Sequence, residues 1–169
     1  MTKNKNLILN AIQIDQRIVR MAYEIYENNL GEKHLIMAGV SENGFLFASK
    51  MSEALEEISP LKTSVVRVDI NKAAPFTDEV QLNDVAEKEL EKKSIVLFDD
   101  VLNSGKTAAF ALKAFLNTNI KKIEVAVMVN RSHKAFPIYA KYKGYELATT
   151  INEHVEVILK GKDKGVYLY

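Results

Sequence analysis

The stretch Ser94-Ile95-Val96-Leu97-Phe98-Asp99-Asp100-Val101-Leu102-Asn103-Ser104-Gly105-Lys106-Thr107 decides the fold. Its apolar start, with β-branched Ile95 and Val96, reads as a buried strand. Two adjacent acids follow, then a short polar loop with one glycine, then the Ala/Leu/Phe-rich segment Ala108 to Leu116, which reads as a helix. At a loop that opens a helix, outward-pointing backbone N–H groups and the helix dipole favour an anion, and the hydroxyls of Ser104 and Thr107 add donors. A phosphate suits that position. Asp99 and Asp100 are anionic and are no phosphate ligands, but they can accept hydrogen bonds from sugar hydroxyls or hold a hard divalent cation, directly or through water. Phosphate beside a diol points to a ribose phosphate.

Outward from this junction the same alternation repeats. Ile14, Ile18, Met21, Ala22 and Ile25 recur at helical spacing, and Gly31 after Asn28-Asn29-Leu30 is expected to cap that helix. His34 to Val40 reads as a strand, Ser41-Glu42-Asn43-Gly44 as a loop, and Phe45 to Ile58 as a helix closed by Ser59-Pro60. Val65 to Ile70 reads as a strand, Asn71 to Asp84 as a polar loop, and Ile123 to Val129 as a buried strand. Short strand-like pieces run to Gly165-Val166-Tyr167-Leu168-Tyr169. Repeated strand–helix units predict an α/β fold with a central, mostly parallel sheet flanked by helices on both faces. Its ligand crevice lies at the carboxyl ends of the strands, where Ser41 to Gly44, Asn103 to Thr107 and Arg131 to Lys134 should meet.

A chain of 169 residues suits one domain, here residues 1–169, with a small hood expected from both termini and residues 71–84. Lys and Arg number 23 against 22 Asp and Glu, a net charge of +1, so no global field draws the chain to nucleic acid or membrane. The absence of cysteine excludes disulfides, thiolate catalysis and thiolate-held metal. After the basic start Met1 to Asn6, Leu7-Ile8-Leu9 is too short for a signal-peptide core, and nothing later approaches a membrane span. The expectation is a soluble, cytoplasmic protein.

The Ser94–Thr107 string resembles the 5-phosphoribosyl-1-pyrophosphate (PRPP) signature of type I phosphoribosyltransferases: four apolar residues, two acids, two apolar residues, any residue, then Ser/Thr-Gly-Arg/Lys-Thr. It is not a Walker A loop, because Asp100 stands where that motif needs its first glycine. The segment Asn130-Arg131-Ser132-His133-Lys134-Ala135-Phe136-Pro137-Ile138-Tyr139-Ala140-Lys141-Tyr142-Lys143-Gly144 is similar to the Asp-Arg-Gly-His-Arg-Glu-Leu-Pro-Ile-x-Ala-Asp-Tyr-x-Gly segment of the pyrimidine-operon attenuators with uracil phosphoribosyltransferase activity. The register continues through Ala148-Thr149-Thr150 into Val155-Glu156-Val157, and the first helix is similar too.

The resemblance implies that Asp99 and Asp100 take the ribose hydroxyls, with Mg²⁺ held by them directly or through water. It implies that Asn103, Ser104, Gly105, Lys106 and Thr107 wrap the 5′-phosphate, and that Arg131, Ser132 and His133 contact the base. His133 could equally be an ordinary hydrogen-bonding loop residue, and Lys106 a solvated one. Ser41, Glu42, Asn43 and Gly44 fall at the family's pyrophosphate loop, where only Gly44 matches and Glu42 sets a negative charge beside a polyanion. Lys72 is the only cation between Asn71 and Asp84 that could stabilise the leaving pyrophosphate; alternatively it is a solvated lysine. At Asn103, purine enzymes of the family commonly carry an aspartate that accepts a ring proton, which an amide cannot do, so purines are disfavoured. The expected activity is transfer of ribose 5-phosphate from PRPP, with Mg²⁺, to a pyrimidine, uracil above all, giving UMP. The alternative is a catalytically weak PRPP- or nucleotide-binding regulator with RNA or protein contacts, RNA being disfavoured by the charge balance. A homodimer is expected from the family.

Overall fold

The alternating pattern of β-branched and aliphatic residues builds a six-stranded sheet whose two faces bury separate cores. In the computed structural model, which describes residues 5–169, the elements in chain order are β1 (Asn6–Asn10), α1 (Ala11–Glu27), β2 (His34–Val40), α2 (Ser41–Ile58), β3 (Lys62–Asp69), β4 (Gln81–Asn83) and α3 (Glu87–Leu90). They continue with β5 (Ser94–Leu102), α4 (Lys106–Ala111), α5 (Lys113–Leu116), β6 (Lys122–Arg131), β7 (Tyr142–Leu147), β8 (Val155–Ile158) and β9 (Gly165–Leu168). The main sheet runs β4-β3-β2-β5-β6-β7, parallel except for β4. Because successive strand residues face opposite ways, Leu35, Met37, Val96 and Phe98 join the core under α1 and α2. Ile36, Ala38, Ile95 and Leu97 join the core on the α3, α4 and α5 side. The chain leaves β2 toward β3 on one side and finds β5 on the other, so the switch point of the sheet lies between the ends of β2 and β5.

A second, three-stranded antiparallel sheet, β1-β9-β8, gathers the two ends of the described chain beside the crevice. Residues 1–4, part of the expected hood, lie outside the described residues. The 71–84 segment differs from expectation: Gln81–Asn83 pairs antiparallel with Arg67–Asp69 and extends the main sheet instead of the hood. No helix among the described residues is long and apolar enough to cross a membrane.

Three boundaries correct the sequence reading. Helix α1 starts at Ala11 behind a capping box in which Asn10 Oδ1 accepts from Gln13 N–H and Gln13 Oε1 accepts from Asn10 N–H, both at 2.9 Å. It ends on Asn28, whose N–H donates to Glu24 O at 3.1 Å, so Gly31 is no left-handed cap. The expected helix 108–116 is two short ones broken at Leu112. The Ser41–Gly44 loop does not exist as such: α2 begins at Ser41, directly on the end of β2, with Ser41 at φ +56°.

Candidate active site

Strand β5 carries the two acids out to the crevice, and its pleat sends them to opposite faces. Asp99 lies on the α4 side, lining a cavity of about 170 Å³ with Lys72 and the run Val101 to Ala108. Asp100 lies on the other side, lining a cavity of about 410 Å³ with Asn43, Leu46 and His154 through Lys160. Their backbones fix their carboxylates: Asp100 N–H donates to Asp99 Oδ1 at 2.9 Å and Val101 N–H donates to Asp100 Oδ1 at 2.8 Å. Asn43, from the first turn of α2, donates to Asp100 Oδ2 at 2.9 Å.

Asp99 is buried and Asp100 partly so, and their surroundings push the two carboxylates apart in pKa. Asp99 is 3% exposed; burial first, then the neighbouring Asp100 charge, raises it to about 7 against the pull of Lys72. Asp100 is held below the usual aspartate range, since burial is outweighed by Lys72 and by hydrogen bonds that include those from Asn43 and the Val101 N–H. Lys72 Nζ donates to Asp99 Oδ1 at 2.7 Å and lies 3.5 Å from Asp100 Oδ1. Burial would lower its pKa, but the two carboxylates raise it. The expected solvated or pyrophosphate-facing Lys72 is therefore found on the acid pair.

The polar loop is held by a left-handed glycine and by hydrogen bonds at Ser104. Gly105 sits at φ +85°, the left-handed region, where a Cβ would lie 3.2 Å from Ile138 Cβ. Ser104 Oγ accepts from Lys106 N–H at 3.2 Å, and Ser104 O accepts from the N–H groups of Ala135 and Phe136 at 2.9 and 3.0 Å. Lys134 adds a brace that the sequence did not reveal, donating to Asn130 Oδ1 at 2.8 Å and to Arg131 O at 2.5 Å, with Leu102 O and Asn103 O at 3.4 Å. On the far side of the loop, Asn103, Ser104, Arg131, His133, Lys134 and Ile151 line a cavity of about 400 Å³.

Two expected groups of site residues are rearranged. Arg131 ends β6 instead of sitting in a loop, and its guanidinium is tied to Thr149 Oγ1 at 2.8 Å, Thr150 O at 3.2 Å and Glu153 O at 3.0 Å. Its side chain holds the 149–153 segment; its backbone and Ser132, which is exposed, remain beside the cavity. His133 Nε2 lies 2.8 Å from Thr149 O and serves the same segment. Of the Ser41–Gly44 group, Asn43 reaches Asp100, Glu42 turns to Lys160 at 3.3 Å, and Gly44 packs against Phe98 O. Replacing Arg131 by Met removes three hydrogen bonds from a buried guanidinium. The expected result is a loss of about 2–4 kcal/mol in unfolding free energy, with faster hydrogen exchange at Thr149 to Glu153.

Comparison with known proteins fits this geometry. The model of the phosphoribosyl transferase domain matches residues 6–160. A "Bifunctional protein PyrR" of Clostridium kluyveri is 32% identical over 167 residues, covering 96% of this chain and 94% of that protein. Its namesake in Leuconostoc citreum is 32% identical over 165 residues, covering 95% and 94%. Among solved structures, the hypoxanthine phosphoribosyltransferase of Trypanosoma cruzi superposes with a TM-score of 0.76 at 14% identity, covering 96% of this chain and 95% of that one. A hypoxanthine-guanine phosphoribosyltransferase of Bacillus anthracis gives 0.70 at 16% identity, covering 86% and 84%, and at that identity it speaks for the fold alone. With the paired acids at the end of β5, the left-handed glycine turn beyond them and near full-length relatives, this chain belongs to the phosphoribosyl transferase domain family and is a type I phosphoribosyltransferase of the PyrR-like branch.

Proposed function

We propose that the chain transfers ribose 5-phosphate from PRPP to uracil, releasing pyrophosphate and UMP. The observation that carries this reading is the acid pair standing between the glycine-turn cavity, which Asp99 lines, and a larger cavity, which Asp100 lines, with a third cavity on the far side of the loop. Asp99 and Asp100 accept hydrogen bonds from the ribose 2′ and 3′ hydroxyls, while the N–H groups and hydroxyls of Asn103 to Thr107 hold the 5′-phosphate. The base enters the cavity beside Asn103, where the amide donates or accepts without taking up a proton. The β1-β9-β8 sheet is the hood over the site, and Lys160, paired with Glu42, lies at its edge.

Bond breaking at the anomeric carbon develops positive charge on the ribose ring. Two carboxylates fixed by backbone N–H groups are preorganised to hold that ring and to stabilise the charge. Mg²⁺ fits the donor set as an ion shared with the substrate. The acid pair offers oxygen ligands, which suit an ion that keeps waters and substrate oxygens as its remaining partners. When bound, it would neutralise charge on the leaving pyrophosphate.

Incubation of the purified protein with PRPP, Mg²⁺ and radiolabelled uracil tests the reading, with hypoxanthine in a parallel vessel. UMP formed in preference to inosine monophosphate is the expected result, and the reverse preference overturns the pyrimidine assignment. A second reading, a nucleotide-binding regulator with little chemistry, is favoured by Glu42 at the first turn of α2 and by the ion pair already made by Lys72. It expects PRPP to bind with no UMP formed.

A further inference from the structure

We propose that Lys72 is a specificity-determining residue that favours PRPP over ribose 5-phosphate and nucleoside monophosphates by occupying the ribose-binding carboxylates until a diphosphate draws it off. The proposal rests on the PRPP reading above. It starts from the state of the acid pair. Asp99 Oδ1 is engaged by Lys72 and the Asp100 N–H, Asp100 Oδ1 by the Val101 N–H and Lys72, and Asp100 Oδ2 by Asn43. Of the four oxygens of the acid pair, Asp99 Oδ2 alone makes no hydrogen bond to the described residues. The ammonium lies on the same oxygens at which a ribose diol would donate, so docking of the sugar competes with it.

The lysine is presented by a local turn. Asn71 Oδ1 accepts from the N–H groups of Ala73 and Ala74 at 3.1 and 3.2 Å, and Ala74 O accepts from Thr77 N–H at 3.1 Å. One residue before Thr77, the Phe76 ring lies 5.1 Å from Lys106 Nζ of the phosphate loop, a cation–π contact, although the ring is 63% exposed. The segment therefore straps the site at two points, one on the ribose acids and one on the phosphate loop. Lys72 is also a wall of the cavity that the 5′-phosphate would enter.

Displacing a cation from two carboxylates costs binding free energy unless the incoming ligand supplies it with another anion. PRPP brings a diphosphate at C1, on the side of the ring away from the 5′-phosphate, and so gives Lys72 a new partner. Ribose 5-phosphate and UMP carry only the 5′-phosphate, which all three ligands share and which therefore does not discriminate between them. The discrimination follows from charge bookkeeping at one ammonium.

Calorimetric titration of wild type and Lys72→Met with ribose 5-phosphate and with PRPP, both with Mg²⁺, tests this. Ribose 5-phosphate should bind the variant about tenfold more tightly, and PRPP more weakly, because the two ligands respond to opposite consequences of losing the ammonium. Both affinities changing by the same factor, or ribose 5-phosphate weakening, overturns the proposal. Hydrogen exchange without ligand supplies the readout that does not depend on sugar phosphates. The amides of residues 71–78 should exchange faster in Lys72→Met and, to a smaller degree, in Phe76→Ala, which leaves the acid pair untouched; unchanged exchange in both overturns the strap. PRPP binding to neither protein overturns the functional reading and the ligand half of this proposal with it. Intact PRPP binding and UMP formation with unaltered discrimination overturns this proposal alone.

Discussion

Asp99→Asn is expected to raise the melting temperature of the free protein at about pH 8 while lowering kcat/KM by about a thousandfold or more. The sign follows from the raised carboxyl. Burial lifts Asp99 from 3.8 to about 7, so its contribution to stability is fully present below the unfolded value of 3.8 and is lost as pH rises through 7. Above that pH the fold holds a buried charge that Lys72 compensates only in part. An amide of the same shape removes the charge and forfeits the Lys72 ion pair. The balance is a gain of about 1–3 kcal/mol at pH 8, a shift of several degrees that shrinks toward about pH 4. Function moves the other way, because an amide cannot replace a carboxylate that accepts from the ribose and faces developing positive charge. Thermal unfolding at the two pH values, beside steady-state kinetics, checks both halves. A variant less stable than wild type at pH 8 would show that the ion pair outweighs the buried charge.

Gly39→Ala is the second large expected effect, and here stability and function fall together. A Cβ at Gly39 would lie 2.2 Å from Phe45 Cα, 2.3 Å from Phe45 N and 2.4 Å from Gly44 C, all backbone atoms that cannot swing aside. The contact exists because α2 folds back directly from the end of β2, with Gly44 itself under Phe98 O at a distance of 2.5 Å from a built Cβ. One methyl group therefore forces apart β2 and the first turn of α2, the turn that carries Asn43. The expected cost is about 3 kcal/mol or more, a drop in melting temperature on the order of 10 °C, with Asn43 drawn off Asp100. Gly31→Ala is the matched control: nothing lies within 4 Å of a Cβ there and its φ is not positive. Its melting temperature should stay within about a degree or two of wild type.

The acids and the glycine turn were legible in the sequence because strand, loop and helix are consecutive there, so the constellation is local. The parallel sheet followed from alternating strand and helix patterns for the same reason. The start of α2 was not legible: Val40 offers no side-chain cap, and Asn43-Gly44 reads as a turn, while tertiary packing on Gly39 and Phe98 makes that turn helical. Lys72 was singled out as the cation of its loop, but its partners stand 27 and 28 positions away and no local pattern points to them. Its place in the motif makes Arg131 read as a base contact. The carbonyls that bind it belong to an irregular segment at 149–153, which carries no periodic signal. The fate of Gln81–Asn83 was hidden likewise, since a three-residue edge strand is too short to alternate.

Ribose recognition is assigned to the acid pair of β5. Titration of PRPP with Mg²⁺ into the wild-type protein and into Asp100→Ala, each first shown to be folded by its thermal transition, tests that most directly. The expected result, if that assignment holds, is saturable binding at one site per chain for wild type and none for Asp100→Ala. Equal binding by the two proteins would contradict it.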